Sequence, residues 1–296
     1  MLRKIFTKPV WWWERKRKYP IRFRYLALPP LSVERGPRRF VVLTTPATLG
    51  DAMWTTWSWY RYLRPHGFEL ELAVDGQLSE SEKVAAGQLF PGISIYEVET
   101  VISPLRETLP ALQPFLRGHP LGKKLGLVIA LSQKGPVLYS DSDVLAFNRP
   151  HELLSHVEKS VPCYIPEEYE GCYDLKIVGR AKALGLECIA KFNSGLLYVP
   201  QGALSIDLAI GLLTPWRPPV QSWFSEQTVF NVLMANAKAQ PLPSERYVVS
   251  VCRQFYWERD VDYETIAARH FTTPVRHVMY RKGMPTILRQ GNIHAI

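Results

Sequence analysis

Asp141, Ser142 and Asp143 follow the apolar run Pro136-Val137-Leu138-Tyr139-Ser140, so two carboxylates stand at the end of a predicted strand. Residues two apart on an extended chain share a face, which lets Asp141 and Asp143 converge on one hard cation while Ser142 points away. Such a cation offsets the charge of a nucleoside diphosphate and steadies it as a leaving group. Acidic turns at strand ends are also ordinary loop chemistry. The pair therefore gains meaning only from its neighbours.

Three further groups bear on chemistry. Asn193-Ser194-Gly195 interrupts the apolar stretch 188–199; a glycine there admits a ligand or another backbone, and the amide and hydroxyl suit ligand hydroxyls. A tight turn or bulge is the structural alternative. Glu226 and Gln227 fall in the first turn of a helix predicted to begin at Ser225. The partial positive charge of that helix end favours an ionised carboxylate, able to serve as base or electrostatic partner. An ordinary N-terminal Glu would look the same. Imidazole joins carboxylates on manganese, and of seven histidines His270 and His277 compete for that place.

The elements that must position these residues alternate between strand and helix, the pattern of an α/β fold with a largely parallel sheet. Strands are expected over 40–44, 69–74, 93–98 and 137–140. Helices are expected over 51–64, from the capping box Ser79-x-x-Glu82 to Phe90-Pro91-Gly92, and over 122–132, 173–184, 205–213 and 225–237. Met53, Trp57 and Tyr60 share a helical face and read as core. Ligands of open α/β sheets gather at strand carboxyl ends, where Thr44, Thr45 and Asp75 lie. Lys123 and Lys124 precede the acidic strand; Arg281 and Lys282 offer positive charge to phosphate, although solvated surface is the commoner fate of such side chains.

Charge divides the chain. Of the net +9, residues 1–39 carry twelve Lys/Arg against Glu14 and Glu34, a net +10, while the remaining 257 residues carry 24 basic and 25 acidic side chains. This predicts two parts: a basic, aromatic arm and linker over 1–39, and a single catalytic domain over 40–296. A near-neutral body argues against a nucleic-acid groove across it. Trp11 to Trp13 beside Arg15-Lys16-Arg17-Lys18 suit an anionic membrane surface, with residues 1–28 as the contact; folding of the aromatics back onto the body is the alternative. Basic residues interrupt any leader-like apolar stretch, no span crosses a bilayer, and four cysteines without a Cys-x-x-Cys pair suit a reducing compartment. The expected location is cytoplasmic, peripheral to a membrane.

Taken in order, Leu138-Tyr139-Ser140-Asp141-Ser142-Asp143-Val144-Leu145, Phe192-Asn193-Ser194-Gly195-Leu196-Leu197, Ser225-Glu226-Gln227-Thr228-Val229-Phe230-Asn231 and His270-Phe271 resemble nucleotide-sugar glycosyltransferases of the GT-A fold. The resemblance spans about residues 40–283 and is closest in style to glycogenin-like enzymes and bacterial lipopolysaccharide sugar transferases. It implies a Rossmann-like, mostly parallel sheet flanked by helices, with manganese or magnesium held by Asp141, Asp143 and His270. It further implies base and ribose contacts from Thr44, Thr45 and Asp75, donor contacts from Lys123, Lys124, Arg281 and Lys282, and sugar contacts from Asn193, Ser194 and Gly195. Glu226 and Gln227 are the implied catalytic pair, and the acceptor is a carbohydrate or lipid-linked sugar. Two rivals share parts of this pattern. A sugar-phosphate nucleotidyltransferase would need a Gly-rich basic loop after the first strand, where Thr45-Pro46-Ala47-Thr48-Leu49-Gly50 stands. A non-catalytic, membrane-associated nucleotide-sugar binding protein would not need Asp141, Asp143 and Glu226 together.

Overall fold

The computed structural model describes residues 19–214, 222–249, 261–272 and 275–293. Its strands are β1 (Arg38–Thr44), β2 (Phe68–Val74), β3 (Ser94–Glu97), β4 (Val137–Asp141), β5 (Val144–Ala146), β6 (Cys163–Ile165), β7 (Asn193–Val199), β8 (Gln240–Pro241), β9 (Tyr247–Val248) and β10 (Ala268–His270). Seven pair in the order β3-β2-β1-β4-β7-β6-β8, and β5-β10-β9 form a second, smaller sheet. Strands β3, β2, β1 and β4 are mutually parallel, and β7 runs antiparallel to both β4 and β6.

Strand β1 shows why these segments read as unbroken apolar runs. Phe40, Val41 and Val42 are all buried. Phe40 and Val42 join an apolar cluster with Leu70, Leu72 and Leu138, whereas Val41 joins another with Ala73, Val137 and Tyr139. Alternate side chains thus feed cores on opposite faces, as a parallel sheet covered on both sides requires.

The helices are α1 (Leu49–Leu63), α2 (Glu80–Leu89), α3 (Val98–Thr108), α4 (Gln113–Gly118), α5 (Gly122–Lys134), α6 (His151–Glu158), α7 (Leu175–Ala183), α8 (Ile206–Leu213), α9 (Ser225–Asn236), α10 (Arg276–Val278) and α11 (Met284–Ile293). Helix α1 is core on nearly every side. Its Trp54, Trp57 and Trp59 indoles donate to the carbonyls of Ile21, Pro29 and Val144 at 3.2, 2.8 and 2.8 Å. The capping box of α2 forms as expected, Ser79 N–H donating to Glu82 Oε2 at 2.8 Å and Glu82 N–H to Ser79 Oγ at 3.3 Å.

Several features differ from the sequence reading. Helices α3, α4, α6, α10 and α11 were not expected; Pro104 and Pro114 sit within α3 and α4 and mask their periodicity. The predicted start of the helix at 173 moves to Leu175, because the Asp174 carboxylate accepts from Lys176 N–H at 3.0 Å and caps it. Asn193-Ser194-Gly195 does not break the strand but opens β7, and all three residues are buried. Partners in the cleft satisfy their polar atoms. Residues 11–18 of the aromatic arm lie outside the described residues; Tyr19 and Tyr25 are buried against the body, whereas Phe23 is exposed. No described helix is long and apolar enough to cross a membrane.

Candidate active site

Register brings the acidic pair together with its partners. Leu43 lies opposite Asp141 across β1 and β4, and Ser140 lies opposite Leu196 across β4 and β7, so Asp141 neighbours Gly195. The chain then turns through Ser142 and Asp143 into β5, where Val144 pairs with His270 of β10. Phe271 N–H donates to the Asp143 carbonyl at 2.8 Å, locking that turn to the end of β10.

His270 Nε2 stands 3.2 Å from Asp143 Oδ1 and 4.0 Å from Asp141 Oδ2. One ligand atom from each of Asp141, Asp143 and His270 lies within 4.8 Å of the others. A cation about 2.0–2.6 Å from each donor spans such a gap, and two carboxylates with an imidazole suit a divalent metal. Asn193 aims the ring: its Oδ1 accepts from Gly195 N–H at 2.8 Å and lies 3.0 Å from His270 Nδ1, leaving Nε2 toward the acids. Burial alone would lower the His270 pKa, but the Asp143 carboxylate outweighs it and raises it above the ordinary value. Burial would likewise raise the Asp143 carboxyl, yet Arg276 and His270 hold it well below the usual range. Arg276 pairs directly with Asp143 Oδ2.

Gly195 is required by close approach. A Cβ there would fall 2.5 Å from His270 Cε1 and 2.9 Å from Asn193 Oδ1. The close neighbour is the imidazole ring of the same chain, and Gly195 does not itself line the cleft.

The adjacent lysines of α5 point to different places, as consecutive helix residues must. Lys123 Nζ meets Asp75 Oδ1 at 2.6 Å and Glu99 Oε1 at 3.0 Å. Lys124 is buried, with Nζ 3.1 Å from Asp141 Oδ1, 3.0 Å from Ser194 Oγ and 3.3 Å from Glu226 Oε1. One ammonium thus serves two acids. Asp141 is partly exposed to water, whereas Glu226 is enclosed. Burial pushes the Glu226 carboxyl up to about 7 against the pull of Lys124. This corrects the expectation that the helix end keeps Glu226 firmly ionised: desolvation outweighs a dipole effect of about 0.3–1 kcal/mol. Gln227 is committed at both ends, accepting from Ser194 N–H at 3.4 Å and donating to the Cys172 carbonyl at 3.1 Å.

The cleft over these residues has a volume of about 610 Å3. Thr44, Thr45 and Asp75 line it from β1 and β2, with both threonine hydroxyls 3.0 Å from Thr48 Oγ1. Arg281 and Lys282 do not line it: they lie on the wide helical turn Met279–Gly283, and His277 is likewise outside the cleft. The basic side chain of that region that does line it is Arg276. Arg276, Glu167 and the aromatics Tyr169, Trp223 and Phe224 were missed as site residues. Only the basic, aromatic character of the C-terminal third hinted at Arg276, because its distance of 133 residues from Asp143 leaves no local pattern.

The mostly parallel sheet, its antiparallel β7 and the acidic turn after β4 define the GT-A fold of glycosyltransferases. Mouse xyloside xylosyltransferase 1, in its apo form, is similar with a TM-score of 0.53 at 13% identity, over 83% of this chain and 99% of that one. The galactosyltransferase LgtC, in complex with donor and acceptor sugar analogues, gives 0.55 at 14% identity over 85% and 95%. The bifunctional glycosyltransferase WbbM, also apo, gives 0.55 at 11% identity, over 88% of this chain and 52% of its own. At these identities the likeness establishes the fold alone. No protein-family description matches the chain by sequence, and no curated protein sequence does.

Proposed function

We propose that this chain is a metal-dependent glycosyltransferase, moving one sugar from a nucleoside-diphosphate donor to a carbohydrate or lipid-linked acceptor. The observation that carries the reading is the convergence of Asp141, Asp143 and His270 in the cleft at the strand carboxyl ends of a GT-A sheet. These three residues would hold manganese or magnesium, which supplies Lewis-acid neutralisation of the departing diphosphate. Arg276 adds positive charge beside them. Thr44, Thr45 and Asp75 receive the nucleoside over β1 and β2, and Asn193, Ser194 and Lys124 face the sugar. Glu226, poised near neutrality, exchanges a proton or balances charge at the reacting sugar. Gln227 positions β7 against α9. The reading includes a cytoplasmic location, with the basic N-terminal residues meeting an anionic membrane surface through their charge.

The test is a panel of UDP-, GDP- and CMP-sugars screened for hydrolysis with manganese and again with chelator. At least one nucleoside-diphosphate sugar should turn over, and chelator should abolish it. Metal-dependent binding without turnover would favour a non-catalytic binding protein, and neither binding nor turnover would sink both. Asp141→Asn is the cleaner probe of the metal site, because Asp141 is partly exposed and Lys124 keeps Glu226 as a second counterion, whereas the Asp143 carboxylate is itself buried. It should lower turnover at least about tenfold with the melting temperature nearly unchanged; normal turnover would remove Asp141 from the metal shell.

A further inference from the structure

Three aromatic side chains on the lining of the cleft are exposed. Trp223 is 63% exposed, Phe224 40% and Tyr169 38%, and all three line the cavity that holds Asp141 and Glu226. Covering the exposed part of such rings with an apolar surface is favourable. The other exposed large apolar side chains among the described residues, such as Phe23 and Leu175, do not line it.

This part of the lining is held in place before any ligand arrives. His119 Nε2 lies 3.1 Å from the Ser222 carbonyl, just ahead of Trp223. The segment bearing Tyr169 is tied to the first turn of α9 by Ser225 Oγ donating to Asp174 Oδ2 at 2.6 Å and Asp174 N–H donating to Thr228 Oγ1 at 2.8 Å. A surface fixed in this way loses little conformational freedom on binding.

Its position in the sheet assigns its partner. Thr44 ends β1 and Asp75 directly follows β2, on one side of β4; β7 and the α9 residues that contact it lie on the other. Asp141 stands between them. With the donor's nucleoside over β1 and β2, the β7 and α9 side is left for a second ligand, and Trp223 and Phe224 stand within three residues of Glu226 on that side. Besides Asp143 of the acidic pair, the same cavity presents two further buried acids, Glu167 and Glu226. Ring faces beside carboxylates match a pyranose, whose C–H face stacks on an aromatic ring while its hydroxyls donate to acids.

We propose that Tyr169, Trp223 and Phe224 form the acceptor subsite, a platform for the apolar face of a pyranose whose hydroxyls reach Glu167 and Glu226. The word acceptor rests on the transferase reading above; the affinity for a pyranose does not. The test is saturation-transfer NMR of the full chain with methyl β-galactopyranoside, methyl β-glucopyranoside and methyl α-mannopyranoside, beside donor hydrolysis by the wild type. At least one pyranoside should show transfer to its ring C–H protons. Trp223→Ala should weaken that binding at least about tenfold, the equivalent of roughly 1.4 kcal/mol; Trp223→Phe should retain part of it, and Leu175→Ala, away from the cleft, should retain all. Because Trp223 is exposed, its variants should keep the wild-type melting temperature. A wild type that binds no pyranoside, or a Trp223→Ala variant that binds as well as wild type, overturns the platform. Pyranoside binding without any donor hydrolysis leaves the platform standing and counts against the transferase reading instead.

Discussion

Lys124 and Glu226 set the chemistry of the cleft at the scale of single residues. Burial pushes the Glu226 carboxyl up to about 7, against the pull of the Lys124 ammonium that it shares with Asp141. The stability consequence has a definite sign. The folded state binds the carboxyl proton more tightly than the unfolded chain, so the contribution is fully present below the ordinary value of 4.5 and is lost as pH rises toward 7. Glu226→Gln should flatten that decline in denaturant midpoint measured from pH 4 to 8 (about the span of the two values). A slope unchanged by the substitution would mean that another group titrates there. The same variant should lower turnover about 10²-fold or more with donor affinity nearly kept; equal losses of both would assign Glu226 to binding. Gly195→Ala, in contrast, acts through packing. The added carbon must push His270 aside, costing about 1–3 kcal/mol and weakening manganese affinity measured by calorimetry. Wild-type affinity in that variant would show that His270 is not a ligand.

What the sequence makes legible lies mostly within single secondary-structure elements. Strands β1, β2 and β4 were legible as short apolar runs bounded by turn residues, and α2 by its capping box, because those signals are local. The acidic pair was legible as well, being set by the end of one strand. What brings it His270 is the pairing of β5 with β10, across some 120 residues of intervening chain that no periodicity encodes. Arg276 and Glu167 were illegible for the same reason, and Asn193-Ser194-Gly195 misled because its polar side chains find partners far along the chain, on Glu167, Lys124 and His270. One tertiary knot ties elements from both ends of the chain. Asp51 on α1 accepts from Arg22 Nε at 2.7 Å and from Tyr280 Oη at 3.0 Å, although it is itself buried. Asp51→Asn should therefore cost about 1.5–3 kcal/mol, the range for hydrogen bonds to a charged group. Hydrogen exchange should quicken at residues 19–28 and 276–293 together. Faster exchange at one end only would show that the two segments dock independently.

Over the whole molecule, charge and fold are separate. The body from residue 40 is nearly neutral, while residues 1–18 hold seven Lys/Arg and one Glu, so removing them would take the chain from +9 to +3. Truncation should stop there and not at residue 28, since Tyr25 and Leu28 belong to the core. An anionic bilayer attracts each nearby Lys or Arg by about 1 kcal/mol, and tryptophan adds an interfacial anchor. These increments fade within a Debye length, so binding that depends on them weakens as salt rises. The full chain should sediment with phosphatidylserine-containing vesicles at low salt and be released at about 0.5 M salt. The chain lacking residues 1–18 should stay in the supernatant and still hydrolyse a soluble donor, because the cleft residues all lie beyond the truncation. If the truncated chain sediments as fully as the intact one, membrane contact belongs to the body and the N-terminal residues have no part in it.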